Sequence, residues 1–268
     1  MLSKRAMSVG LIVLVTVTAL WMSTSLHSEE VIARTKLVLA NGLQVARPDY
    51  RIMLWDGVGD AKKAPFSVSV PVSILDYPST GPGVRVWLTR PLIGSAGLRP
   101  DLPASRVAEQ LKTFSKIHGK VGMEAAVRDM PAEQEAAVLI KFSPPVSETE
   151  ARKFADMDLS GHALYILSDD TVANGFPVTW RMGGDTCVHR LLSGCNPTSP
   201  TAQLRQWLSL LQSEDSVMLA DLGLRMEGLY QAQREGLVHG LVLNVSGRER
   251  LLYLLARPRV TVLGVFPA

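Results

Sequence analysis

Aromatic side chains are scarce in this chain: six phenylalanines, five tyrosines and five tryptophans among 268 residues. A core built from it must therefore be filled largely by aliphatic residues. A surplus of either charge is missing too. There are 28 basic against 25 acidic residues, and setting Lys4 and Arg5 aside leaves 28 − 2 = 26. A body this close to neutral offers no electrostatic footprint for nucleic acid, and no nucleic-acid partner is expected. Several chemical signatures are also absent: the Gly-x-Ser-x-Gly elbow, the phosphate loop, the dinucleotide glycine fingerprint and the His-Glu-x-x-His metal motif. No catalytic residue, metal or cofactor is therefore assigned. What is present is an ordinary globular composition, 47% apolar and 20% charged, long enough for one large domain or two small ones.

Cysteine is limited to Cys187 and Cys195, eight positions apart in a glycine-rich stretch. In an oxidising compartment so close a pair most simply forms a disulfide, stabilising the fold by ~2–3 kcal/mol. His189 between them raises a metal alternative. Two thiolates and one imidazole lack the fourth ligand of a structural zinc site.

One long apolar run stands out. Residues 6–22 (AMSVGLIVLVTVTALWM) carry no charge and follow Lys4 and Arg5. This length lies between a secretory apolar core of about 7–15 residues and a membrane span of about 17–25. Basic residues before the run and Glu29 and Glu30 after it place the N-terminus in the cytoplasm and the bulk of the chain outside. The expectation is a single-pass anchor through residues 6–22. The alternative is a signal cleaved near Ser25, which would release a secreted protein.

The rest divides into residues 29–128, expected to be β-rich, and residues 129–268, expected to be α+β. In the first part Val31–Leu39, Tyr50–Trp55, Ser67–Val70 and Val84–Leu88 have strand-like content between prolines and glycines. Ala104–His118 is the one helical pattern there, with Val107, Leu111, Phe114 and Ile117 on one stripe. In the second part Ala136–Phe142 and His162–Leu167 read as strands around a short helix opened by the Ser-x-x-Glu box at Ser147. The arrangement returns as strand Val238–Val245, a second Ser-x-x-Glu box at Ser246, a helix Arg250–Ala256 and strand Val260–Phe266. Extra helices are expected over Thr198–Gln212 and Ser213–Glu235. Two strand–helix–strand units suggest a ferredoxin-like, split βαβ sandwich.

The run AVLIKFSPPVSETEARKF resembles the opening of the extracytoplasmic C-terminal domain of membrane-bound sigma-factor regulators. The closing segment GLVHGLVLNVSGRERLLYLLARPRVTVLGVF resembles that domain's last strand, helix and strand, and also related uncharacterised exported actinobacterial proteins. The likeness covers residues 136–268. It implies a sensor-like exterior. With only about five residues ahead of the apolar run, no cytoplasmic region that could hold a sigma factor is expected.

Candidate sites are few. His162 and His239 open apolar strands at matching positions, either as a facing pair or as strand-end residues. Asp156, Asp158, Asp169 and Asp170 lack the ligand spacing of a calcium loop and read as solvated acids. Phe176, Trp180 and Arg181, just before the cysteine loop, are the candidate binding residues, since rigid aromatic and arginine anchors carry much contact energy. The competing expectation is that Trp180 plugs the core. The functional expectation is a non-enzymatic, membrane-anchored binding or sensing protein of the cell envelope. An exported hydrolase and a scaffold subunit of an envelope complex are the alternatives.

Overall fold

The structure, a computed structural model, describes residues 29–53, 61–64, 67–76, 83–91, 97–99, 105–116, 123–159, 161–173, 175–181 and 199–267. The expected anchor at residues 6–22 and the expected Cys187–Cys195 disulfide lie outside them. Among the described residues no helix is long and apolar enough to cross a membrane. They form a mixed α+β structure with eight α-helices and two antiparallel sheets of five strands each.

The first element corrects an expectation. Val31–Leu39 is not a strand but part of a helix, α1 (Glu29–Ala46). Val31, Ile32, Thr35 and Val38 have β-branched side chains, which suit a strand locally. Yet Ala33, Leu37, Ala40 and Leu43 keep helical spacing, Glu29 and Glu30 sit in the first turn, and Pro48 prevents continuation. Burial decides the matter: every residue from Thr35 to Ala46 is buried. A helix covered on all sides belongs in the middle of a core, where tertiary contacts override local propensity.

Sheet 1 lies on α1. It contains β1 (Tyr50–Met53), β2 (Lys62–Ala64), β3 (Ser67–Asp76), β4 (Val84–Pro91) and β5 (Gly97–Arg99), ordered β1-β3-β4-β5 with β2 also paired to β3. Alternation turns Val68, Val70, Val72 and Ile74 of β3, with Val86 and Leu88 of β4, into the same core cluster as Leu39 and Leu43 of α1. The opposite face carries Ser69 and Thr89, whose hydroxyls hydrogen-bond across the strands at 2.8 Å.

Three short elements follow: α2 (Arg106–Lys112), a 3-10 turn at Phe114–Lys116 and α3 (Glu124–Arg128). The helix expected over Ala104–His118 is thus shorter, starting where the Ser105 hydroxyl accepts from the Ala108 amide at 3.1 Å. Its stripe of Val107, Leu111 and Phe114 is buried as expected, against Leu139, Ile166 and Val242.

Sheet 2 is assembled from β6 (Glu135–Val146), α4 (Glu148–Ala155), β7 (Leu164–Ala173), β8 (Phe176–Arg181), α5 (Pro200–Leu210), α6 (Asp215–Asp221), α7 (Met226–Glu235), β9 (Val238–Ser246), α8 (Arg248–Leu255) and β10 (Val260–Pro267). Its order is β10-β6-β9-β7-β8. Strands β6 and β7, joined through α4, are both antiparallel to β9, which lies between them. Strands β9 and β10, joined through α8, are both antiparallel to β6. The two strand–helix–strand units therefore interleave. Glycine is required at one crossing: a Cβ on Gly240 would stand 2.3 Å from the Ile140 carbonyl oxygen and 2.8 Å from Phe114.

The two Ser-x-x-Glu boxes behave differently. Ser147 caps α4, its hydroxyl accepting from the Glu150 amide at 3.2 Å. Ser246 stays in β9, and α8 is entered instead through Gly247 at φ 91°. The amides of Gly247 and Arg248 donate to the carbonyls of Gln134 and Ala132, so the preceding loop does the work of a cap.

Candidate functional site

The three candidate binding residues do not form a surface. Phe176, Trp180 and Arg181 are 3%, 1% and 3% exposed. Strand β8 is buried along its length, and the register irregularity in its pairing with β7 puts Phe176 and Trp180 in different clusters although their positions have the same parity. Trp180 enters the main core, where its ring centroid lies 5.6 Å from that of Trp207 and its indole Nε1 donates to Gln203 Oε1 at 2.9 Å. Phe176 joins the smaller cluster under α2. Arg181 turns to the loop after α1, donating to the Pro48 carbonyl at 3.1 Å and the His162 carbonyl at 3.0 Å. The guanidinium is a strut between two backbone segments, and exposed anchors give way to buried ones.

His162 and His239 do not face each other either. Strands β7 and β9 are antiparallel, with Leu164 opposite Val242 and Ile166 opposite Gly240. Matching positions at the starts of antiparallel strands lie at opposite ends of the sheet. At the His162 end, Asp158 is buried and binds backbone, accepting the amides of His162 at 2.8 Å and Asn244. It is a loop clamp rather than a solvated acid.

The His239 end holds an ionic group that sequence reading did not find. Lys141 of β6 is 6% exposed. Its Nζ donates to both oxygens of Asp169, at 3.1 and 3.2 Å, and to the Phe114 carbonyl at 3.0 Å. His239 Nε2 stands 3.7 Å from Glu235 Oε2, and Gln231 bridges Asp170 and Glu235. Burial holds the His239 imidazole below its ordinary value of 6.5, against the opposing pull of Asp169 and Glu235. A histidine with a lowered folded-state value favours the fold fully above 6.5, and that contribution is lost as pH falls through the folded-state value. The variant His239→Gln should therefore lose stability less steeply than the wild type on mild acidification. Denaturant midpoints measured from neutral to mildly acid pH check this, and parallel curves would contradict it. The only hint in the sequence was Lys141 inside an apolar strand, where a lone cation needs a buried partner.

Among the described residues no group of three or more His, Cys, Asp or Glu side chains is placed to hold a metal. An open cleft of about 390 Å³ lies where β9 passes into α8, lined by Glu133, Leu159 and the backbone turn from Ser246 to Arg250. Two glutamates, Glu133 and Glu249, and two arginines, Arg248 and Arg250, border it. It presents mixed charge and hydrogen-bonding groups to solvent, the chemistry of a polar contact. On sheet 1 the exposed Lys62 of β2 lies over the ring of Trp87, a residue on the polar phase of an alternating strand. Set against known protein families, characterised proteins and solved structures, the chain matches none.

Proposed function

We propose that this chain is a membrane-held binding or sensing domain of the cell envelope, acting through contact with a partner rather than through catalysis. The observation that supports it best is the place of α1. That helix begins seven residues after the apolar run ends at Met22, and it is an interior element on which β1, β3, β4 and β8 all pack. A connector to an anchor would ordinarily be solvated and mobile. Here the first described element after the apolar run is itself built into the core from Thr35 onward, which suits a domain whose packing is coupled to its attachment. The order β10-β6-β9-β7 supports reading sheet 2 as a ferredoxin-like split βαβ, with β8 added at one edge. That reading suits the resemblance to the sensor-like exterior of sigma-factor regulators. The polar cleft at Ser246–Arg250 is the contact site this function would use.

Fractionation of cells carrying a C-terminally tagged chain tests the anchor. The expected result is full-length protein resistant to alkaline extraction from membranes, with its tag digested by external protease. A shorter, freely soluble product, or a tag protected until the membrane is opened, would overturn the topology.

A further inference from the structure

The side of sheet 1 opposite α1 is buried along Pro71, Ser73 and Leu75 of β3 but open at the β2 edge. Strand parity places Arg51 of β1, Lys62 of β2, and Arg85 and Trp87 of β4 on the side opposite α1. Every charged residue that parity assigns to this side, among the described strand residues, is a cation. Lys62 and, on the α1 side of the same edge strand, Lys63 are both exposed, and Lys62 Nζ lies 3.9 Å from the centroid of the Trp87 ring. The pair thus offers an amphipathic indole under an ammonium group, beside the hydroxyls of Ser69 and Thr89.

The position of this end of the sheet follows from one contact. Val68 is paired on one side with Lys63 and on the other with Arg90. Arg90 Nη1 in turn donates to the Thr35 hydroxyl at 3.3 Å, six residues into α1. The lysine end of sheet 1 therefore stands beside the start of α1. Seven residues from Met22 to Glu29 reach at most about 25 Å when fully extended. Glu29 and Glu30 belong to α1, on the opposite side of the sheet.

We infer that this lysine–tryptophan end of sheet 1 docks on the anionic phospholipid headgroups of the membrane that holds the chain, an inference that rests on the anchored reading above. Lysines near a bilayer surface are drawn to anionic lipid, and tryptophan settles at the headgroup level. The sheet then becomes a second attachment, which fixes the tilt of the domain and directs sheet 2 away from the bilayer.

Lysine acylation followed by peptide mass spectrometry, on the full chain in nanodiscs, tests it. Labelling of Lys62 and Lys63 should fall several-fold in discs containing phosphatidylglycerol compared with phosphatidylcholine alone, and recover at high salt. Lys153, exposed on α4, should not change. The single variants Lys62→Glu and Lys63→Glu should each weaken the protection of the remaining lysine, and the double variant combining them, folded by circular dichroism, should lose the association itself, since each lysine contributes about 5-fold to it. Equal labelling in both discs overturns the inference. Protection by soluble polyphosphate but not by phosphatidylglycerol also overturns it, assigning the face to an acidic polymer. Alkaline extraction separates this outcome from failure of the anchor. If the chain is not retained by membranes, flotation with phosphatidylglycerol vesicles that the double variant abolishes still sustains the docking, and no flotation overturns both.

Discussion

Trp180→Ala is expected to lower the unfolding free energy by about 3–5 kcal/mol, the range for truncating a buried tryptophan. The indole is 1% exposed, lies against Trp207 and donates a hydrogen bond to Gln203. Alanine removes all three contributions and leaves a cavity between β8 and α5 that a strand buried along its length cannot easily close. Trp180→Phe should cost less, because it keeps much of the ring volume and loses mainly the indole hydrogen bond, worth about 0.5–1.5 kcal/mol. Urea denaturation followed by far-ultraviolet circular dichroism measures both without relying on tryptophan emission. A loss below about 1 kcal/mol for the alanine variant would contradict the packing and return Trp180 to the surface role that its loop-side position suggested.

The second large effect belongs to Asp215→Ala, expected to cost about 2–4 kcal/mol. Asp215 is 1% exposed and pairs with Arg34 of α1, while the same carboxylate oxygen accepts the Gln212 amide at 2.9 Å. Arg34 also donates to the Leu210 carbonyl at 2.8 Å, so one guanidinium ties α1 to the end of α5 and the start of α6. Removing a buried carboxylate strands the opposite charge, usually at about 3–5 kcal/mol. The lower range reflects the 22% of the Arg34 side chain that still reaches water. Replacing both residues, Arg34→Met with Asp215→Leu, should restore most of the loss, since an apolar pair of similar volume has no charge to desolvate. A double-mutant cycle on denaturant midpoints reads the coupling. A single variant within about 0.5 kcal/mol of wild type would show that α1 is not locked to α6 through this pair.

These two residues also show how unevenly the fold could be read in advance. Four strands of sheet 2 and the helices of residues 135–267 were legible because their patterns are local: β6 and β9 are continuous apolar runs, Ser147 announces α4, and Pro258 ends the run before β10, whereas β8 was read as loop. The stripe of α2 was legible for the same reason. Helix α1 was not, because its β-branched residues match strand content and only the burial of Thr35–Ala46 explains why they adopt a helix. Lys141 and Asp169 lie 28 positions apart and belong to strands that are not neighbours in the sheet, so no window of sequence could join them. The pairing of Arg34 with Asp215 spans 181 positions and was equally hidden.

The sequence by itself determined the near-neutral charge, the aliphatic core and the two strand–helix–strand units, each a matter of composition or short-range periodicity. It also determined which residues of a regular strand such as β3 share a face, since a period of two needs no knowledge of neighbours. Only the tertiary structure decided that α1 is interior, that Phe176, Trp180 and Arg181 are buried, and that His162 and His239 stand at opposite ends of one sheet. Those outcomes depend on which elements meet, and burial between distant segments is an energy that no local stretch contains.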